Sequence, residues 1–476
     1  MSLQSVVKRI QDIMRKDQGV DGDAQRLSQL VWMLFLKIID DQEKQSELVQ
    51  PGYRSPIPDE LRWRNWAADA EGLTGDDLLD FVNEKLFRSL KALDVRHDDT
   101  LGLLVKEVFS DTYNYMKSGT LIRQVVNVIN EIDFNKKDDR HQFNDIYEHL
   151  LKELQSAGNY GEFYTPRALT RFVVEMVNPK LGEIVFDPAC GTGGFLVNAL
   201  EHIRYAQVNT TDDEKILRQS IRGMELKQLP FTLAITNLIL HGIDAPDQIT
   251  RGDALSKPLR EYGPKDRVDV IVANPPFGGF VKDGTEANFP HEFRTRETAD
   301  LFLVLFIHLL KPTGRAGIVL PDGTLFGEGV KTAIKRKLLE ECNLHTIVRL
   351  PPGVFSPYAG VNTNLLFFEK GNPTKEIWYY ELPLPEGMKQ YTKGRPIRSE
   401  EFESVKQWWN NRTENEHAWK VPVVEIANEQ RNYNLDFKNP NGKSKDEHKE
   451  PQEVLESISM AEKEITRLLG ELKEEI

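Results

Sequence analysis

Ile271-Val272-Ala273-Asn274-Pro275-Pro276-Phe277 is the stretch whose reading decides the fold. Val268, Val270 and Ile271 feed into it, and the β-branched run from Val268 to Val272 predicts a buried strand. Two prolines stop that strand, because neither can continue a ladder and both stiffen the turn they occupy. A rigid loop at the carboxyl end of a strand then presents an amide, a backbone carbonyl and an aromatic ring. In an open α/β sheet, ligands bind at that end.

Those three groups suit an exocyclic NH2. The Asn274 side-chain oxygen and the Pro275 carbonyl can each accept a hydrogen bond from one amine. That draws the nitrogen toward tetrahedral geometry and turns its lone pair outward, toward an electrophile. Phe277 offers a flat face for a base taken out of its stack. Asn-Pro-Pro-Phe is a sequence by which amino-methyltransferases resemble one another: adenine-N6 DNA enzymes, some guanine-N2 RNA enzymes and, with Tyr, a protein-glutamine class. Four residues alone leave a Pro-rich turn that merely closes a strand equally open.

Four upstream segments bear on the choice. The glycines and Pro166 of Gly158-Asn159-Tyr160-Gly161-Glu162-Phe163-Tyr164-Thr165-Pro166-Arg167 mark a shaped loop. Thr165 is placed to cap the helix carrying Leu169, Phe172, Val173 and Met176, with Pro166 in its first turn. In Glu183-Ile184-Val185-Phe186-Asp187-Pro188-Ala189-Cys190-Gly191-Thr192-Gly193-Gly194-Phe195-Leu196, a strand ends at Asp187 and a helix opens near Phe195. Gly191, Gly193 and Gly194 let the backbone approach a ligand, and the helix N-terminus favours an anion. The turn lacks the dinucleotide G-x-G-x-x-G spacing. A strand-end acid beside it suits an ammonium group, and S-adenosylmethionine carries both an ammonium and a carboxylate. The next strand, Ile221 to Met224, delivers Glu225, where an acid can hold both hydroxyls of a ribose. A polar insert around Asn209 to Glu214 separates it from the Gly turn. Asp253 follows in Arg251-Gly252-Asp253, placed either to bond an adenine amino group or simply to close a turn.

The chain has 476 residues, 39% hydrophobic and 28% charged, enough for two or three ordinary globular domains. Its net charge of −13 disfavours a lone nucleic-acid binder, because phosphate contacts dominate such affinity. Cys190 and Cys342 cannot form a disulfide framework and fit a reducing cytoplasm. No segment reads as a signal peptide, and the longest apolar run, Leu30 to Leu36, is too short to span a bilayer. The ten histidines show no zinc spacing. Transfer to an exocyclic nitrogen requires neither a metal nor a covalent intermediate, only aligned reactants.

The expected architecture is α/β, with a doubly wound, Rossmann-like sheet as its centre. Residues 1–142 read as a helical domain: Leu27, Leu30, Val31, Leu34 and Ile38 recur at helical spacing, as do Leu78, Val82, Leu86 and Leu90 behind a possible cap at Asp76. Trp63 and Trp66 read as core anchors. A catalytic domain spans 143–375, opening with a helix from Phe143 to Leu154. Within it Gly278 to Thr298 is polar and aperiodic, the mark of a mobile flap over the site. Phe355, in Pro351 to Phe355, reads as a core residue or a further aromatic wall. An irregular extension and charged linker occupy 376–453. In 454–476 the apolar residues Val454, Ile458, Ala461, Ile465, Leu468 and Leu472 step at heptad spacing, which calls for a partner helix.

Gly161 to Arg167, Asp187 to Leu196, Glu225 and Asn274 to Phe277 occur in the order cofactor half, then catalytic half. In this the chain closely resembles the modification (M) subunits of type I restriction-modification systems, which are adenine-N6 DNA methyltransferases. The resemblance implies that Glu162, Phe163, Tyr164, Thr165, Pro166, Arg167, Thr192, Gly193, Gly194 and Glu225 line an S-adenosylmethionine site, and that Asn274, Pro275, Pro276 and Phe277 hold the adenine. It also implies partners: a specificity (S) subunit, a second M subunit, double-stranded DNA and, for restriction, a nuclease-translocase (R) subunit. The stretch 376–453 looks acidic and loop-like, too slight to read a DNA site, so reading is delegated. A solo RNA or protein-glutamine methyltransferase and a non-catalytic scaffold of the same fold remain the alternatives.

Overall fold

The computed structural model describes residues 3–135, 164–243, 246–356, 360–428 and 430–441. The expected helix from Phe143 to Leu154, the loop residues Glu162 and Phe163, the linker beyond Asn441 and the heptads of 454–476 lie outside the described residues.

The N-terminal part is helical, built on the helix Asp23–Val49. Leu27, Leu30, Val31, Leu34 and Ile38 are all buried, but so is every residue from Gln29 to Asp41. A helix buried on every side belongs inside a bundle. Its buried charges are paired: Lys37 with Asp41, and Asp40 with Arg64. Leu78, Val82, Leu86 and Leu90 are buried as expected. Strict four-residue steps drift by about 40° per step around an α-helix of ~3.6 residues per turn. The chain absorbs that drift with a wider π turn, Phe81–Leu86, between the α segments Gly75–Asp80 and Phe87–Lys91. The residue before the first segment is Thr74, not Asp76. Trp63 and Trp66 are core residues, meeting edge to face at 5.1 Å.

The strands are β1 (Val185–Asp187), β2 (Ile221–Glu225), β3 (Ile249–Arg251), β4 (Val268–Ala273), β5 (Leu310–Pro321), β6 (Cys342–Arg349), β7 (Thr363–Lys370), β8 (Glu376–Glu381) and β9 (Ala418–Pro422). They form one nine-stranded sheet in the order β3-β2-β1-β4-β5-β7-β6-β8-β9. The five strands from β3 to β5 run parallel, and β7 enters antiparallel between β5 and β6. β4 sits near the middle, and its alternation sorts the two faces. Val270 and Val272 point into one apolar core, Ile271 and Ala273 into the other. The first core runs on into the N-terminal helices. Polar ties cross there as well: Gln228 Nε2 donates to the Val108 carbonyl at 2.6 Å, and Arg251 pairs with Asp111 and reaches Ser110 Oγ at 2.9 Å.

The helix Thr298–Leu309 passes directly into β5, and the register slips between Val268 and Val270 to take up the extra residues. Two expectations are revised. The insert before β2 is an exposed helix, Thr211–Ser220, with a reciprocal capping box between Thr210 and Asp213. Residues 376–441 are not simply irregular. β8 pairs with β6, and β9 with β8, because Ile377, Tyr379, Trp419 and Val421 supply the apolar face that continues the second core.

Candidate active site

β1, β2 and β4 end side by side, and their carboxyl ends surround one cavity of about 310 Å3. After β1 the chain turns through Pro188 to Gly193 before the helix Gly194–Gln207. Gly191 and Gly193 have φ of 54° and 78°, in the left-handed region that favours glycine. The Cys190 amide donates to the Met224 carbonyl and the Gly193 amide to the Cys190 carbonyl, at 3.0 and 2.8 Å. The turn is thereby fixed against β2.

Two acids stand on the floor. Asp187 is buried, and its carboxylate accepts from the Ala189 amide at 3.1 Å. Glu225 accepts from the Gly191 amide at 3.0 Å and from the Lys227 amide at 2.8 Å. Burial raises the pKa of Asp187 well above the usual carboxylate range, and the nearby Glu225 charge adds to the rise. Burial raises Glu225 as well, against the opposing pull of its backbone donors. Each Glu225 oxygen spends one lone pair on the backbone and keeps another for a ligand.

The remaining wall is built from β3, β4 and the loop beyond. Asp253 folds back to accept from the Leu255 amide at 2.9 Å while lining the cavity. Asn274 reaches the cavity from the end of β4. Its side-chain NH2 donates to Thr165 Oγ1 at 3.0 Å, and its Oδ1 is buried with no hydrogen-bond partner among the described residues. Thr165 therefore does not cap the helix Arg167–Val177. Pro166 stands at the N-cap, where it has no side-chain acceptor to offer, and the Thr165 hydroxyl is engaged across the cavity.

Of the sequence-predicted residues, Thr165, Asp187, Gly191, Thr192, Gly194, Glu225, Asp253, Asn274 and Pro276 share this one cavity. Tyr164, Pro166, Arg167, Gly193, Pro275 and Phe277 are not among the residues that line it. Arg167 packs over the helix start, where a Cβ on Gly194 would come within 2.7 Å of its guanidinium. Gly193 backs onto Ala234. Phe277 is half-buried, and Phe355 meets its ring edge to face at 5.8 Å, so Phe355 belongs to the packing behind the loop. The segment Gly278 to Thr298 is folded down by Phe289 and Phe293, which are buried, and by Thr298, whose amide and hydroxyl both donate to the Gly279 carbonyl. Residues 279–282 of that segment reach the cavity, as do Leu226 and Phe302, none of which the motifs single out. Phe280, 73% exposed, was legible only as an aromatic with no apolar period around it.

A doubly wound sheet with the order β3-β2-β1-β4-β5-β7-β6, and one cavity joining the turn after β1 to the loop after β4, defines the class: an S-adenosylmethionine-dependent methyltransferase fold. Residues 138–449 match the N-6 DNA methylase family model and residues 3–129 that of the HsdM N-terminal domain. The chain is 57% identical to the type I restriction enzyme EcoEI methylase subunit of Escherichia coli, over 100% of this chain and 97% of that one. A crystal structure of a type I restriction enzyme modification subunit from Vibrio vulnificus YJ016 superposes with a TM-score of 0.83 at 45% identity, covering 93% and 97% of the two chains. A chain from a study of complex assembly and conformational transition in the type I R-M system superposes at 0.82 with 39% identity, covering 99% and 97%. The chain belongs to the N-6 DNA methylase family, as a methylase (M) subunit of a type I restriction-modification system.

Proposed function

We propose that this subunit transfers a methyl group from S-adenosylmethionine to N6 of an adenine extruded from double-stranded DNA, at a site read by a separate specificity subunit. The observation that carries the reading is the buried Asn274 Oδ1, without a partner among the described residues, in the same cavity as Asp187 and Glu225. Leaving a buried amide oxygen unpaired costs about 1–3 kcal/mol. A donor arriving with the substrate repays that cost, and an exocyclic NH2 is such a donor.

The cavity floor fits the cofactor. Glu225 would hold the ribose hydroxyls, Asp187 the ammonium, and the backbone of Gly191 to Gly194 the carboxylate beside the helix N-terminus, while Asp253 would meet the adenine amino group. Bound there, the cofactor supplies an electrophilic methyl on a sulfonium. Thr165 holds the Asn274 amide so that its oxygen is turned to the target. Asn274 Oδ1 and the Pro275 carbonyl accept the two amine hydrogens, aiming the nitrogen lone pair at the floor. Closing the site around the amine excludes water and supplies the alignment on which the rate depends. The net charge of −13 is accommodated if an S subunit brings most of the DNA contact and a second M subunit completes the modification complex. An R subunit would join it for restriction.

Co-expression with a neighbouring S subunit, followed by mapping of modified adenines in the host genome, tests the reading. Asn274→Ala in that complex is expected to abolish methylation and leave cofactor binding intact. Methylation by the M subunit alone would favour a solo enzyme, and equal loss of binding and turnover would refute the division of roles.

A further inference from the structure

Phe280, Val281 and Lys282 form an extended segment that leaves the Asn274 loop. The Phe280 backbone is bridged to Glu297, and the Val281 amide donates to the Arg296 carbonyl at 2.9 Å. Along such a segment side chains alternate in direction. Val281 is buried in the second core. Phe280 and Lys282 are exposed, and they line the cavity that holds Asn274, as do Gly279 and Val281. An aromatic ring and an ammonium two residues apart thus stand together at the mouth.

The surrounding charges leave Lys282 available. Asp283 is held by Arg296 at 2.5 Å, and Glu297 by Lys331 at 2.5 Å. Glu286 Oε2 accepts the Gly284 amide at 3.1 Å. No carboxylate among the described residues pairs with Lys282, although acids outnumber bases by 74 to 61 along the chain. The Arg296 guanidinium stands 5.9 Å from the Phe280 ring centre, so a second cation flanks the same aromatic. Phe277, the ring the motif offers to a base, is turned edge-on against Phe355.

We propose that Phe280 and Lys282 clamp the target nucleotide at the cavity mouth, Phe280 packing on the extruded adenine and Lys282 on the phosphate beside it. Phe280 lines the cavity, which is where an extruded base would lie, and not the place it vacates in the duplex. The proposal rests on the function proposed above. It adds two substrate-binding residues outside the Asn-Pro-Pro-Phe loop.

The test uses the M–S complex and a duplex carrying the adenine it methylates, with 2-aminopurine at that position for fluorescence. Phe280→Ala is expected to lower kcat/KM about tenfold, the scale of one base–aromatic stack, and Phe280→Tyr to restore it. With Phe280→Ala the 2-aminopurine signal should rise above that of the unaltered complex, because the extruded base loses its quenching neighbour. Lys282→Met should make the salt dependence of DNA affinity shallower by about one unit, as expected for one lost phosphate contact. It should leave S-adenosylmethionine affinity unchanged. An unaltered rate for Phe280→Ala overturns the clamp, as does a signal falling to that of free duplex, which would make the ring a wedge in the stack. So does a Lys282→Met variant that loses cofactor and keeps its salt slope. If the unaltered complex methylates no DNA, the proposed function fails and the clamp with it; if only the variants match wild type, the clamp alone fails.

Discussion

The Asn274 amide donates to the hydroxyl of Thr165 at 3.0 Å, joining the loop after β4 to the residue two before the helix Arg167–Val177. One hydrogen bond thus fixes which way the amide faces, with its nitrogen on Thr165 and its oxygen left for a ligand. Thr165→Val removes the acceptor and keeps the shape. The amide then turns freely, so kcat should fall about tenfold or more while cofactor affinity changes little. Thr165→Ser should recover most of the rate. Steady-state methylation kinetics with the M–S complex decide it, and a parallel loss of cofactor affinity would place Thr165 in the cofactor site instead.

Asp187 and Glu225 predict a pH dependence. Both pKa values are raised in the folded chain, chiefly by burial. Such groups favour folding while protonated, and their contribution is lost as pH rises through the raised values. The free protein should therefore lose stability as pH climbs from the ordinary carboxylate values toward these raised ones. A cationic ligand reverses the preference by favouring the carboxylates. S-adenosylmethionine affinity should rise over the same range, with protons released on binding. Calorimetry in buffers of different ionisation enthalpy measures that release, and affinity independent of pH would contradict it.

Lys335 is 1% exposed, and its ammonium donates to the carbonyls of Leu325 and Gly327 at 2.9 and 2.8 Å. It closes the end of the short helix Asp322–Phe326, beyond β5. Burial lowers its pKa to about 8. Lys335→Met keeps the packing and strands two carbonyls, so about 2 kcal/mol of stability should be lost. Between pH 8 and 10 the wild type releases its proton in the folded state before the unfolded one, which raises its stability with pH. The variant should lack that rise in denaturant titrations.

Arg251 ends β3 and grips the helix Thr100–Ser110 and its flank, through Asp111, Ser110 and Glu107. These contacts are partly exposed and worth only about 1 kcal/mol together. Arg251→Ala should barely change Tm yet speed amide exchange in residues 100–111. Exchange that speeds equally across the β-sheet would show that the tie supports the whole fold and not this junction.

Much of the centre of the molecule could be read in advance. A β-branched run ending at two prolines has few outcomes, and Val268–Ala273 became the strand expected of it. Asp187 and Glu225 were legible because each closes a short apolar run. Thr165 misled, because a threonine before a proline looks the same whether its hydroxyl serves its own helix or a side chain from a distant loop. The stretch 376–453 was legible only in part: Trp378 to Tyr380 reads as a last strand or a docking segment and lies in β8, while β9 left no local mark. β8 and β9 are short and 36 residues apart (Glu381 to Ala418 leaves 382–417 between them), and only the apolar faces of β6 and β8 make strands of them. Phe277 carried its motif, yet the orientation of its ring depends on Phe355, a contact no local pattern records.

The sheet's two margins are unlike its middle. At one, β3 offers three residues, with Arg251 already committed to the N-terminal helices; at the other, β9 offers five and finishes on Pro422. Short edges, and a proline without an amide at the end of one, blunt a sheet against pairing with another. Among the described residues the sheet thus closes on two short edges, and edge-to-edge growth into a longer sheet has little purchase on it.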